Sequence, residues 1–264
     1  MGSGSDFTPF LQHAGVASRN VGFGGEDDGG IYHSIYDDFN WFTKFSDSSF
    51  VYGKALSQAV GSTVMRLADA QLLPLAFNNL AETARGYLGE LQKLRDTRAE
   101  QIAERSRELD DSVFAATSDP RDPTYAPKRD STPPFLNFAV LQNAIEALES
   151  AASDYDKVAE RANANGGAAL DRPALASVNA QLLQAERAMT SASGLPGRPW
   201  YKHLLYAPGL YTGYGVKTMP GAREAIEQGR WAEANEQLAR VAGAIDAEAR
   251  LVRSARDALV GAVR

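Results

Sequence analysis

A cysteine-free chain does its chemistry with histidine, tyrosine, serine and carboxylates, and here histidine is scarce. The 264 residues hold three, His13, His33 and His203, and no cysteine. No two histidines are four residues apart and no HExxH occurs, so the pattern that puts two zinc ligands on one helix face is missing. A catalytic zinc takes three protein ligands plus water, and a two-metal site takes more. Thiolate zinc sites and disulfides are excluded outright. His33, in GGIYHSIYDDF (29–39), therefore has two readings: one ligand of a set completed elsewhere, or an ordinary polar loop residue. No GxSxG elbow marks a serine nucleophile. GSGSDF (2–7) is neither a P-loop nor a dinucleotide fingerprint. GEDDGG (25–30) lacks the spaced aspartates and twelfth-position glutamate of a calcium loop, and reads as a solvated turn.

The bulk properties remove further classes. The net charge is −6 and the pI about 5.2, against the basic face that a phosphate-backbone binder needs, so no nucleic-acid partner is expected. No run of 18 apolar residues occurs, so no membrane span is expected, and no signal peptide is visible. The start, MGSGSDFTPF, passes at once into folded-looking sequence. That abruptness fits a portion of a longer protein, although MGSGS also fits an expression linker.

The elements that would position these groups are mostly helices. GVASRNVGF (15–23) is a short apolar run bounded by glycines and predicts a buried strand. Leu56, Val60, Val64 and Leu67 recur at helical spacing before Pro74. Leu80, Ala84, Tyr87, Leu91 and Leu94 form a second stripe in a charged helix running to about residue 113. The proline-rich stretch 117–134 predicts a long surface loop. Phe138, Leu141, Ile145, Leu148, Ala152 and Tyr155 make the next stripe, ended by NANGG (163–167). Asp171 and Pro173 start another helix carrying Leu175, Val178, Leu182, Ala185 and Met189. The last helix runs from about Trp231 to Val260, with Leu238, Val241, Ile245, Val252 and Leu259 on one face. Stripes this narrow suit helices packed nearly parallel in a bundle. Residues 195–221 break the pattern with tyrosines, tryptophan and glycines, and read either as a functional loop or as a plain connection.

In order and separation, GSGSDFTPFLQHAGVAS, YHSIYDDFNWFTKF and LPGRPWYKHLLYAP closely resemble the C-terminal part of glutamate carboxypeptidase II-like proteins. These are the N-acetylated α-linked acidic dipeptidases, whose non-catalytic relative is the transferrin receptor. The resemblance runs along essentially the whole chain. It implies a mainly α fold: a helical bundle dimerisation domain (51–264) preceded by the C-terminal remnant of an α/β zinc aminopeptidase-like domain (1–50). It implies a two-zinc exopeptidase in which zinc-bound hydroxide attacks the peptide carbonyl. His33 then aligns with the last zinc ligand, and Tyr32 with a tyrosine that hydrogen-bonds the tetrahedral intermediate. The other ligands, the bridging aspartate and the glutamate general base lie upstream in the family, so the chain alone is expected neither to bind zinc tightly nor to hydrolyse peptides. Ser3, Gly4 and Ser5 match a loop lining the substrate cleft, and Tyr214 a tyrosine that helps hold the substrate's C-terminal glutamate. A homodimer and an extracytoplasmic location follow from the same resemblance, as does an alternative: a non-catalytic, transferrin receptor-like binding module.

The sequence departs from the family in two places. The lysine accompanying the family's tyrosine is Gly213 here, and its paired acid-holding arginines are Asn20 and Gly22, with Arg19 adjacent. Neighbouring residues on a strand face opposite sides, so Arg19 is no direct substitute. Both losses point to a specificity broader than acidic dipeptides.

Overall fold

The computed structural model describes residues 2–24, 31–119, 121–122, 125–164 and 171–262. The chain forms two compact units, Ser18–Pro74 and Met1–Ala17 with Leu75–Arg264.

The smaller unit holds α1 (Phe39–Phe45) and α2 (Val51–Ala68). Asp38 starts α1 by accepting the Trp41 N–H at 2.8 Å, which satisfies one of the donors a helix leaves free at its N-terminus. Asp47 accepts the Gly53 N–H of α2 at 2.7 Å. The stripe expected on α2 lies on a real helix, yet no α2 residue is buried. The expected strand at 15–23 is irregular, extended chain. Extended backbone becomes a strand only where a neighbouring strand completes a hydrogen-bonded ladder; here the Val16 N–H donates to the Phe10 carbonyl at 2.8 Å, a local turn contact. The expected division near residue 50 lies inside the Ser18–Pro74 unit, and residues 1–17 group with the larger one.

The larger unit is built on helices α3 (Phe77–Asp110), α4 (Val113–Ala116), α5 (Ala139–Ala164), α6 (Arg172–Leu182), α7 (Ala185–Ala188), α8 (Pro220–Glu227) and α9 (Trp231–Ala262). The periodicity at 138–155 gives α5, and Leu141, Ile145, Leu148, Ala152 and Tyr155 are all buried. α5 packs on α9, whose Leu238, Val241, Ile245, Val252 and Leu259 are buried in turn, and Tyr155 meets the Phe77 ring of α3 with centroids 5.4 Å apart. α6, α7 and α8 also pack on α9, and α3 packs on α5 and α8. The start expected at Asp171 is present: its Oδ2 accepts the Ala174 N–H at 3.3 Å, with Pro173 in the first turn. The segment expected to continue through Ala185 and Met189 breaks instead after Leu182 and resumes as the single turn α7. The described residues of 117–134 form no helix, as the prolines there require. The cap expected at NANGG falls partly outside the described residues.

Within the aromatic stretch, β1 (Tyr206–Pro208) and β2 (Val216–Thr218) form an antiparallel hairpin with Ala207 opposite Lys217. The N-terminal segment belongs to this unit. It carries a π-helical turn at Pro9–His13, and the Gln12 carbonyl accepts the N–H groups of Lys202 and His203 at 2.8 and 3.2 Å.

Leu148 is fully buried on the face of α5 toward α9, so Leu148→Ala should cost about 2–5 kcal/mol. Asp171→Ala removes one cap and should cost about 1 kcal/mol. Urea unfolding of both variants checks the order; equal losses would mean that the α5–α9 seam is not the core.

Candidate functional site

The sequence-predicted residues form two groups, one in each unit. In the smaller unit a turn closed by the Ser34 N–H to Ile31 carbonyl bond (2.9 Å) presents Tyr32 and His33. Their rings stack, with centroids 3.8 Å apart, and both side chains are exposed. His33 has φ +62°, the left-handed region that non-glycine residues rarely occupy. Strain of this kind costs on the order of 1–3 kcal/mol and gathers at functional sites. The next turn runs directly into the Asp38 cap of α1, so the helix start fixes where the tyrosine–histidine pair sits.

Zinc needs several donors around one point. Among the described residues no three His, Cys, Asp or Glu side chains converge on a common centre. His33 thus stands as a single donor, and the described residues do not by themselves fit a zinc ion.

The second group assembles residues far apart in sequence. The Ser3 N–H donates to the Tyr214 carbonyl at 3.1 Å. Gly4 has φ +86°, and a Cβ there would lie 2.8 Å from the Tyr214 ring. A Cβ on Gly2 would lie 1.7 Å from the Tyr214 carbonyl oxygen. Any side chain at either position would push the two segments apart, which explains the glycine–serine alternation physically. Ser5 is exposed beside them, and the Tyr214 ring is 61% exposed.

The Tyr214 loop is held from below by residues that motif reading did not single out. Arg198 gives one N–H to the Pro208 carbonyl at 2.6 Å, and its other terminal nitrogen lies 2.9 Å from both oxygens of Glu224. Glu224 in turn accepts the Leu210 N–H at 2.8 Å. The buried pair thereby grips both sides of the bend at Gly209. Thr212 closes the loop from inside, accepting from the Gly209 N–H at 2.8 Å and donating to the Gly215 carbonyl at 2.7 Å. Lys217, the nearby cation, is committed to Glu227, with both oxygens at 2.5–2.6 Å.

Beneath the hairpin lies a polar cluster. His203 is fully buried. Its Nδ1 accepts the Leu205 and Tyr206 N–H groups at 3.2 and 3.4 Å, and its Nε2 lies 2.9 Å from Glu186. Those accepted bonds assign the neutral tautomer with the proton on Nε2. The Tyr206 hydroxyl also donates to Glu186, at 2.8 Å. Burial and the Glu186 charge together push the Tyr206 phenol up. Burial raises the Glu186 carboxyl too, but the His203 and Tyr206 contacts outweigh it and leave its pKa below the usual carboxylate value. Glu248 on α9 is fully buried, and neither of its oxygens has a hydrogen-bond partner among the described residues. Burial, and then the Glu186 charge, push it up to about 8. The sequence signal for this cluster was faint: a glutamate on the apolar stripe of α9.

Residues 136–253 match the transferrin receptor-like dimerisation domain family. Along nearly its whole length the chain is also similar to peptidases. It is 31% identical to a probable glutamate carboxypeptidase of Arabidopsis thaliana over 92% of this chain and 30% of that protein. It is 24% identical to an aminopeptidase of Mus musculus over 94% of this chain and 30% of that protein. A shorter match, 36% identical over 28% of this chain and 9% of that protein, is to an inactive zinc metalloprotease of Schizosaccharomyces pombe. The chain spans about 30% of the length of the first of these relatives.

Glu248 makes stability depend on pH. In the unfolded chain its proton leaves near 4.5, in the folded chain near 8. Its contribution is fully present below the lower value and is lost as pH rises through the window, by at most about 1.4 kcal/mol per pH unit. Glu248→Gln keeps the shape without the titration, so it should flatten the decline between pH 5 and 8 in urea unfolding. Parallel pH profiles for the two proteins would remove Glu248 as the cause.

Proposed function

We propose that the chain, whose residues 136–253 match the transferrin receptor-like dimerisation domain family and which is similar over nine-tenths of its length to a probable glutamate carboxypeptidase, serves a two-zinc exopeptidase. Its contribution is the dimerising helical bundle and one rim of the active site. His33 supplies one zinc ligand, the remaining ligands come from outside this chain, and Tyr32 presents its phenol beside that ligand. Ser3, Gly4, Ser5 and Tyr214 line the substrate cleft, and the substrate is a peptide.

The observation that carries this reading is the meeting of the Ser3–Ser5 loop with Tyr214. Residues chosen from opposite ends of the sequence as parts of one cleft share a backbone hydrogen bond and a ring contact. The strained, stacked Tyr32–His33 pair adds to it, since backbone strain gathers at functional sites. A second reading, a non-catalytic receptor-like module, has one point in its favour: one relative is named an inactive metalloprotease.

Hydrolysis of N-blocked dipeptides separates the two. In the polypeptide that unites this chain with the remaining zinc ligands, His33→Ala should lower zinc content and turnover. The loss should exceed the 10–100-fold typical of groups that merely support a ligand. Full activity in that variant would remove His33 from the metal site. The dimer is tested by light scattering at micromolar concentration, where twice the chain's 28.4 kDa is expected and a monomer would count against the bundle's role.

A further inference from the structure

We infer that the subsite at Tyr214 takes an apolar or aromatic side chain rather than a carboxylate. The inference rests on the cleft assignment above and adds the chemistry of what enters it.

A site for a carboxylate needs a cation with donors to spare. Among the described residues, three cations lie in the hairpin or are hydrogen-bonded to it: Arg198, Lys217 and Arg223. Each is already neutralised. Arg198 faces both oxygens of Glu224, and the two side chains are 10% and 9% exposed. Lys217 is clasped by both oxygens of Glu227. Arg223 donates through Nε to the Thr218 carbonyl at 3.0 Å and pairs with Glu90. Position 213, on the loop itself, is glycine with φ +58°. Across the contact, the residue following Ser5 is the exposed Asp6, a further negative charge. An incoming carboxylate would shed water and gain no free cation on the hairpin, which is unfavourable; Lys202 lies on the N-terminal side, its Nζ 3.4 Å from His13 Nε2.

The loop offers apolar surface instead. Leu210, Tyr211, Tyr214 and Val216 are all large and exposed, Tyr211 at 88%. Gly4, without a side chain, packs against the Tyr214 ring, while the residue stays 61% exposed. Two tyrosines and two aliphatic residues around a fixed loop suit stacking and apolar contact. The loop is held at its base by Arg198 and Glu224 and internally by Thr212, so this surface does not have to be ordered on binding.

The test uses the chain itself and three probes: N-acetyl-alanyl-phenylalanine, N-acetyl-alanyl-leucine and N-acetyl-alanyl-glutamate. Amide resonances of Ser3–Ser5 and Gly209–Val216 are followed by NMR during titration. The phenylalanine and leucine peptides should shift these amides with affinities about tenfold above that of the glutamate peptide. Glu227→Gln frees Lys217 and should bring the glutamate peptide to within about threefold of the others. Glutamate binding as tight as phenylalanine in the unaltered chain would overturn the inference. So would the absence of shifts at these amides with all three peptides while the spectrum stays dispersed. Concentration-dependent shifts at the same amides without peptide would assign the patch to a second copy and overturn it equally. If the order of affinities holds but the fuller polypeptide shows no zinc-dependent hydrolysis, only the peptidase reading falls. Hydrolysis with the order reversed removes this inference alone.

Discussion

The larger unit depends on the burial of one face of α9. Leu238, Val241, Ile245, Val252 and Leu259 alternate there with Ala242, Ala249 and Ala255, all buried. The alanines let α5 come close, and the larger residues fill the grooves between its own side chains. α6, α7 and α8 lie against the same helix. The most expensive group in the unit sits on this face too. Glu248 has no hydrogen-bond partner of its own among the described residues and lies in the field of Glu186. A buried carboxyl of that kind is tolerated as a neutral acid, which makes the core itself sensitive to proton concentration.

From that core the site is reached through a short chain of polar contacts. Glu186 ties the single turn α7 to His203 and Tyr206, at the base of β1. Arg198 and Glu224 then fix the bend after Pro208, and the loop beyond it presents Tyr214 to the N-terminal glycines. Removing one partner of the Arg198–Glu224 pair would strand a buried charge, whereas an exposed pair such as Arg85–Glu149 matters little. The Tyr214 loop is thus braced by charges beneath it that are spent on one another. That same spending leaves the loop without an electrostatic claim on an acidic ligand.

The helices were legible because their apolar residues repeat with the helical period. The stripe from Phe138 to Tyr155 predicts both α5 and its buried face, and Asp171 with Pro173 predicts where α6 begins. The strand at 15–23 was misjudged for a reason local pattern cannot reveal. Alternation and β-branching describe a chain able to pair, while pairing itself depends on a neighbour. The hairpin at 206–218 was hidden by the glycines and tyrosines that surround it, since strands of three residues carry almost no period. Tyr32, His33, Ser3–Ser5 and Tyr214 were singled out by motif likeness, and the contact between two of those groups was not deducible from spacing. Arg198, Glu224 and Glu248 were missed because single charged residues in a helical sequence look like solvated surface.

The bond between Ser3 and Tyr214 has a consequence for the order in which the molecule assembles. It joins positions roughly 210 residues apart, and closing a loop of that length carries an entropic cost that grows with the logarithm of its span. Helical turns and the α5–α9 pairing draw on nearer or more extensive contacts and can form without it. The N-terminal glycine–serine segment and Tyr214 therefore come together after the bundle, and by the same reasoning they separate before it does. A nascent or partly unfolded chain would keep its helices and lose this long-range contact first, an early step of unfolding that circular dichroism would not register.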